Sequence, residues 1–399
     1  MSQTVLLGDV VDISSSKRIF YSEYTNKGAP FYRSKEIIEK AAGNPVSTPL
    51  HISNERFIEI SKKFGAPKAG DILLTSVGTL GIPYLVQEDD HFYFKDGNLT
   101  WFRKYSDRLH SKYLYYWLSS PAGKAELENH TIGSTQKALT IQGLKKVKIP
   151  LLLIEDQQKI VEILDSISGK IELNRRMNET LEQIGQTLFK HSFVDNPESK
   201  TWPTKELSEF LNVLESGSRP KGGAINEGVP SVGAENIDGL GIYDYSREKY
   251  ISNEYFNNAK RGQVRSEDVL LYKDGAYVGK KSMFMDDFPH RICCVNEHVF
   301  RLRTNEKLPS QFYLYFWLDQ EEITKMIKDA GIKAAQPGLN QESVKSLPIL
   351  IPPVESVKNF DQTLRPILQK LFLNAKQMKG LSQLRDSLLP RLISRKIKI

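Results

Sequence analysis

The stretch Glu155-Asp156-Gln157-Gln158-Lys159-Ile160-Val161-Glu162-Ile163-Leu164-Asp165-Ser166-Ile167-Ser168-Gly169-Lys170-Ile171 decides how the rest of the chain is read. Its apolar positions Ile160, Leu164, Ile167 and Ile171 step by four and three residues, and Leu181 and Leu188 keep the same frame. That is the spacing of a helix with one apolar seam. Moving 200 residues on gives Phe360, Leu364, Ile367, Leu371, Leu381 and Leu388, a second stretch in the same heptad frame. Both seams hold an asparagine at the matching place, Asn174 and Asn374. A polar residue in an apolar seam lowers stability but helps fix register and partner. Residues 155–192 and 355–392 each give about 57 Å of helix at 1.5 Å per residue, far longer than an average globular helix. The natural partner of each seam is the other. The spacing therefore predicts two long helices packed together, each following a globular module. Ile163, Leu173, Phe189, Phe372 and Leu373 lie off the seam and are expected either to meet another protein or to pack on the chain's own modules. Pro366 predicts a kink or a late start in the second helix, because proline lacks an N–H and clashes with the preceding turn.

The repeat extends outward from the helices. Leu7-Gly8-Asp9-Val10 answers to Leu207-Ser208-Glu209-Phe210, and Gly28-Ala29-Pro30 to Gly228-Val229-Pro230. Tyr113-Leu114-Tyr115-Tyr116-Trp117-Leu118 answers to Tyr313-Leu314-Tyr315-Phe316-Trp317-Leu318, and Gln136 and Leu139 to Gln336 and Leu339. Between these matches the offset drifts and recovers, as loop insertions on a shared scaffold produce. A period of this length means a duplicated domain rather than a solenoid. Each module opens with short β-like runs broken by Gly and Pro, such as Val10 to Ile13, Pro30 to Tyr32, Asp71 to Thr75, Gly81 to Val86 and Leu99 to Arg103. An amphipathic helix from about His110 to Leu118 follows, with a second turn after Pro121. Pro352-Pro353 stands just ahead of the second long helix, where proline is tolerated. The expected boundaries are a module at 1–150, a helix and linker at 151–197, a second module at 198–352 and a helix at 353–399. The fold class expected is α+β: two pseudo-symmetric globular domains separated by two long antiparallel helices that form a coiled coil.

The chain has 399 residues, 40% hydrophobic and 26% charged, with a net charge of +7. Those proportions are ordinary for a globular protein of two or three domains. The positive balance favours a polyanionic partner. Cys293 and Cys294 are adjacent, which argues against a structural disulfide and for a reducing, cytoplasmic setting. No basic region followed by an apolar run marks the N-terminus as a signal peptide, and no window approaches a membrane span. Catalytic motifs are nearly absent. Gly275 to Lys281 resembles a phosphate loop but is one residue short and lacks the Ser or Thr that holds Mg²⁺. Gly239-Leu240-Gly241 lacks the third glycine of a dinucleotide fingerprint and reads as a turn. The seven histidines show no metal-ligand spacing, and no Gly-x-Ser-x-Gly or His-Glu-x-x-His occurs. The weight falls on recognition.

Basic and small polar residues cluster after Gly and Pro turns at equivalent places in both halves. In the first they are Lys17, Arg18, Arg33, Lys35, Ser76, Thr79, Gln136 and Lys137; in the second Arg219, Lys221, Lys273, Asp274, Tyr277, Lys280, Lys281 and Gln336. Arg and Lys reach phosphates and the acceptor edge of guanine, Gln and Asn fit adenine, and Ser, Thr and Tyr serve either. The loops differ between the halves while the helices do not. A duplicated reader with unlike loops is expected to recognise two different short sequences.

The order of basic turn, Gly70-Asp71-Ile72-Leu73, Tyr113-Leu114-x-x-Trp117-Leu118, Gln136-x-x-Leu139 and Ile149-Pro150 leading into Glu155 resembles the DNA-specificity subunit of type I restriction-modification enzymes, over nearly the whole chain. Glu355-Ser356-Val357-Lys358 departs from the acidic residue and Gln usual in that family. The resemblance implies two target-recognition domains, each binding one half of a split double-stranded DNA sequence, with the helices setting the unread gap. It implies two methyltransferase subunits docked on the helices and restriction/translocase subunits beyond them. S-adenosylmethionine, ATP and Mg²⁺ are then expected on those partners and none on this chain, which would neither methylate nor cut. The alternative is a self-contained DNA methyltransferase or nuclease with an unrecognised active site; the Asn-Pro-Pro-aromatic or Asp-Pro-Pro-aromatic motif that a methyltransferase of this kind needs does not occur.

Overall fold

Each apolar seam forms one unbroken helix, Ile154–Phe189 and Val354–Ile393. The structure is a computed structural model that describes residues 3–48, 50–133, 137–333, 338–394 and 396–397. It divides into two compact units, Met1–Gly169 with Leu381–Ile399, and Lys170–Gly380. The globular part of each is called a head below.

The second helix neither starts late nor breaks at Pro366, contrary to the expectation from that residue. Leu364 and Leu368 on either side are fully buried. Packing of that face outweighs the roughly 3 kcal/mol an internal proline costs. Within the second unit the two helices run antiparallel. Asn174 Nδ2 donates to Gln377 Oε1 at 3.1 Å, and four residues on Asn178 Nδ2 donates to the Leu371 carbonyl at 3.1 Å. Within the first unit Ile160, Val161 and Leu164 share a core with Leu389 and Leu392.

The buried stripe is wider than one heptad seam, and two of the off-seam residues take the second of the expected roles, packing on the chain's own modules. Phe189 and Phe372 are fully buried. Phe189 packs on Phe193, Tyr313 and Phe360 with ring centroids 5.2, 5.3 and 5.7 Å away, and Phe372 packs on Phe288 at 5.5 Å. A helix against a globular core buries an apolar face of 100° or more, not the narrower two-position seam. Ile163, Leu173 and Leu373 do remain exposed, by 37%, 54% and 45%.

Both heads share one topology. In the first, Val11–Ser14, Leu99–Tyr105, Ile72–Thr75 and Pro83–Leu85 form an antiparallel sheet in that order. In the second, Leu211–Ser216, Val299–Thr304, Val269–Tyr272 and Lys281–Met283 do the same. A smaller sheet follows the same rule twice. Ala29–Tyr32 pairs antiparallel with Leu50–Ile52 and parallel with Tyr93–Phe94, while Val229–Val232 pairs antiparallel with Tyr250–Ile251 and parallel with Cys294–Val295. Gly28 and Gly228 explain why their tripeptides recur. Their φ values are +135° and +134°, and a Cβ on either would lie 2.2 Å from a carbonyl oxygen, that of Ile52 or Ile251. Only glycine takes that backbone shape at that distance.

The helices Ser111–Ser119 and Gln311–Leu318 sit at corresponding places. Tyr113 Oη donates to the Pro150 carbonyl at 2.7 Å, and Tyr313 Oη to the Leu350 carbonyl at 2.8 Å. At the start of the first of these helices, Gln157 is fully buried and its side chain serves three backbone groups: it accepts from His110 N and donates to Arg108 O and Leu152 O. The matching residue is Val357, and there Ser310 replaces His110, accepting from Tyr313 N at 3.0 Å and donating to Asp361 Oδ1 at 2.8 Å. The departure at Val357 is thus matched by a helix that supplies its own N-cap.

Candidate nucleic-acid interface

In the first head, loops from several strands meet at one edge. Beyond the strand Ile72–Thr75, Ser76 N donates to the Asn98 carbonyl at 2.8 Å, and Ser34 Oγ donates to the same oxygen at 3.3 Å. Leu139 N donates back to Ser76 O at 2.9 Å, and Val77 bridges Ala138. Ser16 Oγ donates to Phe94 O at 2.7 Å. These bonds tie residues 16–18, 33–35, 76–79, 94–98 and 137–139 into one surface.

The second head repeats the wiring with other side chains. Lys273 N donates to His298 O at 3.0 Å, Leu339 N donates to Lys273 O at 2.6 Å, and Asp274 bridges Gly338. Gly217 N donates to Asn296 O at 3.1 Å. Residues 217–221, 273–280, 296–298 and 338–339 therefore form the equivalent edge.

The residues singled out from the sequence fare unequally. Lys17 and Arg18 are exposed at the edge; Lys17 Nζ stands 4.6 Å from the Phe64 ring centroid, and Arg18 Nε donates to Asp96 Oδ2 at 2.9 Å. Lys35 is exposed and donates to Thr48 Oγ1 at 3.0 Å, Thr79 is exposed in its loop, and Lys137 pairs with Glu128 at 3.1 Å. Arg33 is committed elsewhere. Its Nε and Nη2 both donate to Glu36, whose side chain is fully buried. Burial alone would raise the Glu36 carboxyl, but the bonds from Arg33 outweigh it and hold the group below the usual carboxylate range. Ser76 is a correction. It is 1% exposed, its hydroxyl lies 2.7 Å from Thr100 Oγ1, and it belongs to the sheet rather than the surface.

In the second head Arg219 and Lys221 are exposed, and Tyr277 is 52% exposed with Lys280 Nζ 5.0 Å from its ring centroid. Lys280 also pairs with Asp238 at 3.0 Å. Lys273 is half-buried, 4.0 Å from Asp274 and 5.3 Å from the Phe300 ring centroid. Asp274 Oδ2 accepts from His298 Nδ1 at 2.6 Å. Lys281 is a second correction: it is 7% exposed, pairs with Asp319 at 3.2 Å and donates to Thr324 Oγ1 at 3.0 Å. Burial pushes its amine down despite that carboxylate. Gln136 and Gln336 lie outside the described residues. The Gly275-to-Lys281 segment is a 3₁₀ turn at Gly275–Tyr277 followed by a strand. Gly239 and Gly241 have φ of +92° and +69°, a turn as expected.

Sequence reasoning missed Asp96, Asn98, Asn296 and His298. They stand on the loop leading into the last strand of each sheet, where no periodicity or motif marks them. Among the described residues no group of three His, Cys, Asp or Glu side chains is placed to hold a metal, and no helix is long and apolar enough to cross a membrane. Both cysteines are free and buried.

Two heads of one topology, each with an exposed polar edge of different composition, define a duplicated recognition protein. The sequence matches the type I restriction modification DNA specificity domain twice, over residues 2–183 and 199–383, and the chain belongs to that family. It is 27% identical over 390 residues to the type I restriction enzyme MjaIX specificity subunit of Methanocaldococcus jannaschii, covering 89% of this chain and 87% of that protein. It is 34% identical over 167 residues to the putative specificity subunit S.HindORF215P of Haemophilus influenzae, covering 41% of this chain and 40% of that one. Its fold is similar to that of the type I restriction-modification S subunit from M. genitalium, with a TM-score of 0.57 at 17% identity over 98% of this chain and 96% of that one. The protein is a DNA-recognition subunit of a type I restriction-modification system, and not its catalytic part.

Proposed function

We propose that the head within 1–150 reads one half of a bipartite double-stranded target and the head within 198–352 reads the other. The two long helices set the unread gap and dock two methyltransferase subunits, with restriction/translocase subunits joining them in the cytoplasm. S-adenosylmethionine, ATP and Mg²⁺ belong to those partners. The observation that carries the reading is the pair of equivalent edges: the same backbone wiring at Ser76–Asn98 and Lys273–His298 presents unlike side chains. Candidate DNA contacts are Lys17, Arg18, Lys35, Thr79 and Lys137 on one edge, and Arg219, Lys221, Lys273, Tyr277 and Lys280 on the other, with Gln136 and Gln336 in the adjoining stretches. Exposed Ile163, Leu173 and Leu373 are candidate docking positions on the helices.

The test is to lengthen both helices by one heptad, at Gly169 and at Gly380, and map methylated sites made by the assembled methyltransferase. A heptad adds about 10.5 Å of helix, equal to roughly three base pairs of rise at 3.4 Å each. A longer gap between unchanged half-sites is expected. An unchanged gap, or altered half-sites, overturns the reading.

A further inference from the structure

The arginines of the first head differ in what their guanidinium groups have left to offer. Arg33 uses Nε and Nη2 on Glu36. Arg56 uses Nε on Glu23 and Nη1 on Glu59. Arg103 uses Nε on Asp12 and Nη1 on the Phe64 carbonyl, and lies 4.1 Å from the Trp101 ring centroid. Arg18 is different. Its one bond runs from Nε to Asp96 Oδ2 at 2.9 Å, and its side chain is 69% exposed while that of Asp96 is only 18% exposed. The Nη1 and Nη2 groups, the fork that matches a planar pair of acceptors, have no partner among the described residues.

The base of that fork is held in place. Lys17 N donates to Tyr93 Oη at 2.9 Å, and Tyr93 is fully buried. Lys95 N donates to the Tyr32 carbonyl at 2.8 Å, fixing the loop that carries Asp96. Two and three residues further along the chain, Phe20 and Tyr21 are 61% and 88% exposed. An exposed arginine followed in the chain by two exposed aromatic residues has the composition of an interface rather than of ordinary surface. A guanidinium held through Nε gives up one donor and keeps two parallel ones, and the acceptor pair O6 and N7 of guanine in the major groove fits those two.

We propose that Arg18, oriented by Asp96, reads a guanine in the half-site recognised by the first head, with Asp96 as its positioning residue. This rests on the assignment of the two heads to two half-sites. The second head lacks the device. The strand registers match Ile13 with Leu214 and Phe102 with Leu302. Carrying those offsets into the loops makes Arg219 the counterpart of Arg18 and Asn296 that of Asp96, and a neutral amide does not orient a guanidinium as a carboxylate does. A solvated ion pair at Arg18 and a phosphate contact are the competing roles, and they respond differently to substitution. Lysine can replace arginine at a phosphate but not as a planar fork.

The experiment maps methylated sites made by the methyltransferase assembled with full-length wild-type chain, R18A, R18K, D96N or a control, R56A. Expected is a guanine in one half-site of the wild type. In R18A that one position accepts other bases, with preference for guanine falling roughly 5- to 150-fold, and in R18K, which keeps the charge but not the planar fork, it falls part of the way, while the other half-site stays intact. D96N keeps guanine first with a smaller loss of preference, and R56A leaves both half-sites unchanged. Three results overturn the proposal: equal methylation of the same sites by wild type and R18A, a uniform loss in R18A that R18K restores, or a relaxed position in the half-site read by the second head. A wild-type complex whose sites are not bipartite overturns the underlying assignment instead, and is recognised before any variant is compared.

Discussion

Asn374 Nδ2 donates a hydrogen bond to Asn178 Oδ1 at 3.0 Å inside the apolar seam of the second unit. Asn374 is fully buried and Asn178 is 7% exposed. The pair fixes which residues of the two helices face each other, because a shift by one turn would leave both amides without partners. Replacing Asn178 by Ala strands the Asn374 amide and is expected to destabilise the second unit by about 1–3 kcal/mol. Replacing both by Leu is expected to recover most of that loss. Urea denaturation checks both; equal stability of wild type and the single variant would remove the pair from the account.

A titrating group lies one turn further along the first helix. Burial and the nearby carboxylates of Asp319, Asp238 and Glu179 push the Glu182 carboxyl up to about 7, although the Leu240 N–H bonds to it. Between its ordinary value of 4.5 and about 7 the folded protein binds the extra proton. Stability is therefore present at low pH and is lost as pH rises through that window. The Glu182→Gln variant is expected to lose this dependence and to exceed the wild type at pH 8 by up to about 3 kcal/mol. Thermal unfolding from pH 5 to 8 reads the difference, and parallel curves for the two proteins would contradict it.

The glycines at 28 and 228 offer a test of the shared plan. Gly28→Ala and Gly228→Ala each force a Cβ toward a carbonyl oxygen at a φ near +135°. Each is expected to destabilise its own head by about 2–4 kcal/mol, since both a strained backbone and a clash are introduced. Hydrogen exchange resolved by segment should show faster opening in the substituted head alone.

Gln157 serves three backbone groups from a fully buried position. Gln157→Ala leaves them without partners in the first unit and is expected to cost about 1–3 kcal/mol. Removing the self-supplied cap by Ser310→Ala in the second unit is expected to cost about 1 kcal/mol. Denaturation of the two variants under one condition gives the comparison, and a smaller loss for Gln157→Ala would contradict the assigned role.

The parts legible in the sequence were those carried by spacing and repetition. The helices followed from the four-and-three steps through Ile160, Leu164 and Ile167, and the duplication from Tyr113 and Tyr313, whose hydroxyls prove to make the same bond to the chain. The width of the buried stripe was not legible, because a heptad frame does not reveal that Phe189 meets Phe193 and Phe360 from other segments. Pro366 misled because local propensity yields to packing on both sides of it. At the edges, exposure and ion pairing separate Arg18 from Arg33 and Thr79 from Ser76, and neither property is written in residue type. Asp96 is 78 residues from Arg18 and becomes its partner only through the fold.

The most direct test exchanges the edge segments of the first head, 17–21 and 77–80, for those of a relative with another specificity. Methylated sites made by the assembled complex are then mapped across a genome. The account predicts that one half-site changes while the other half-site and the gap stay as they were. A change in both half-sites would contradict the independence of the two reading heads.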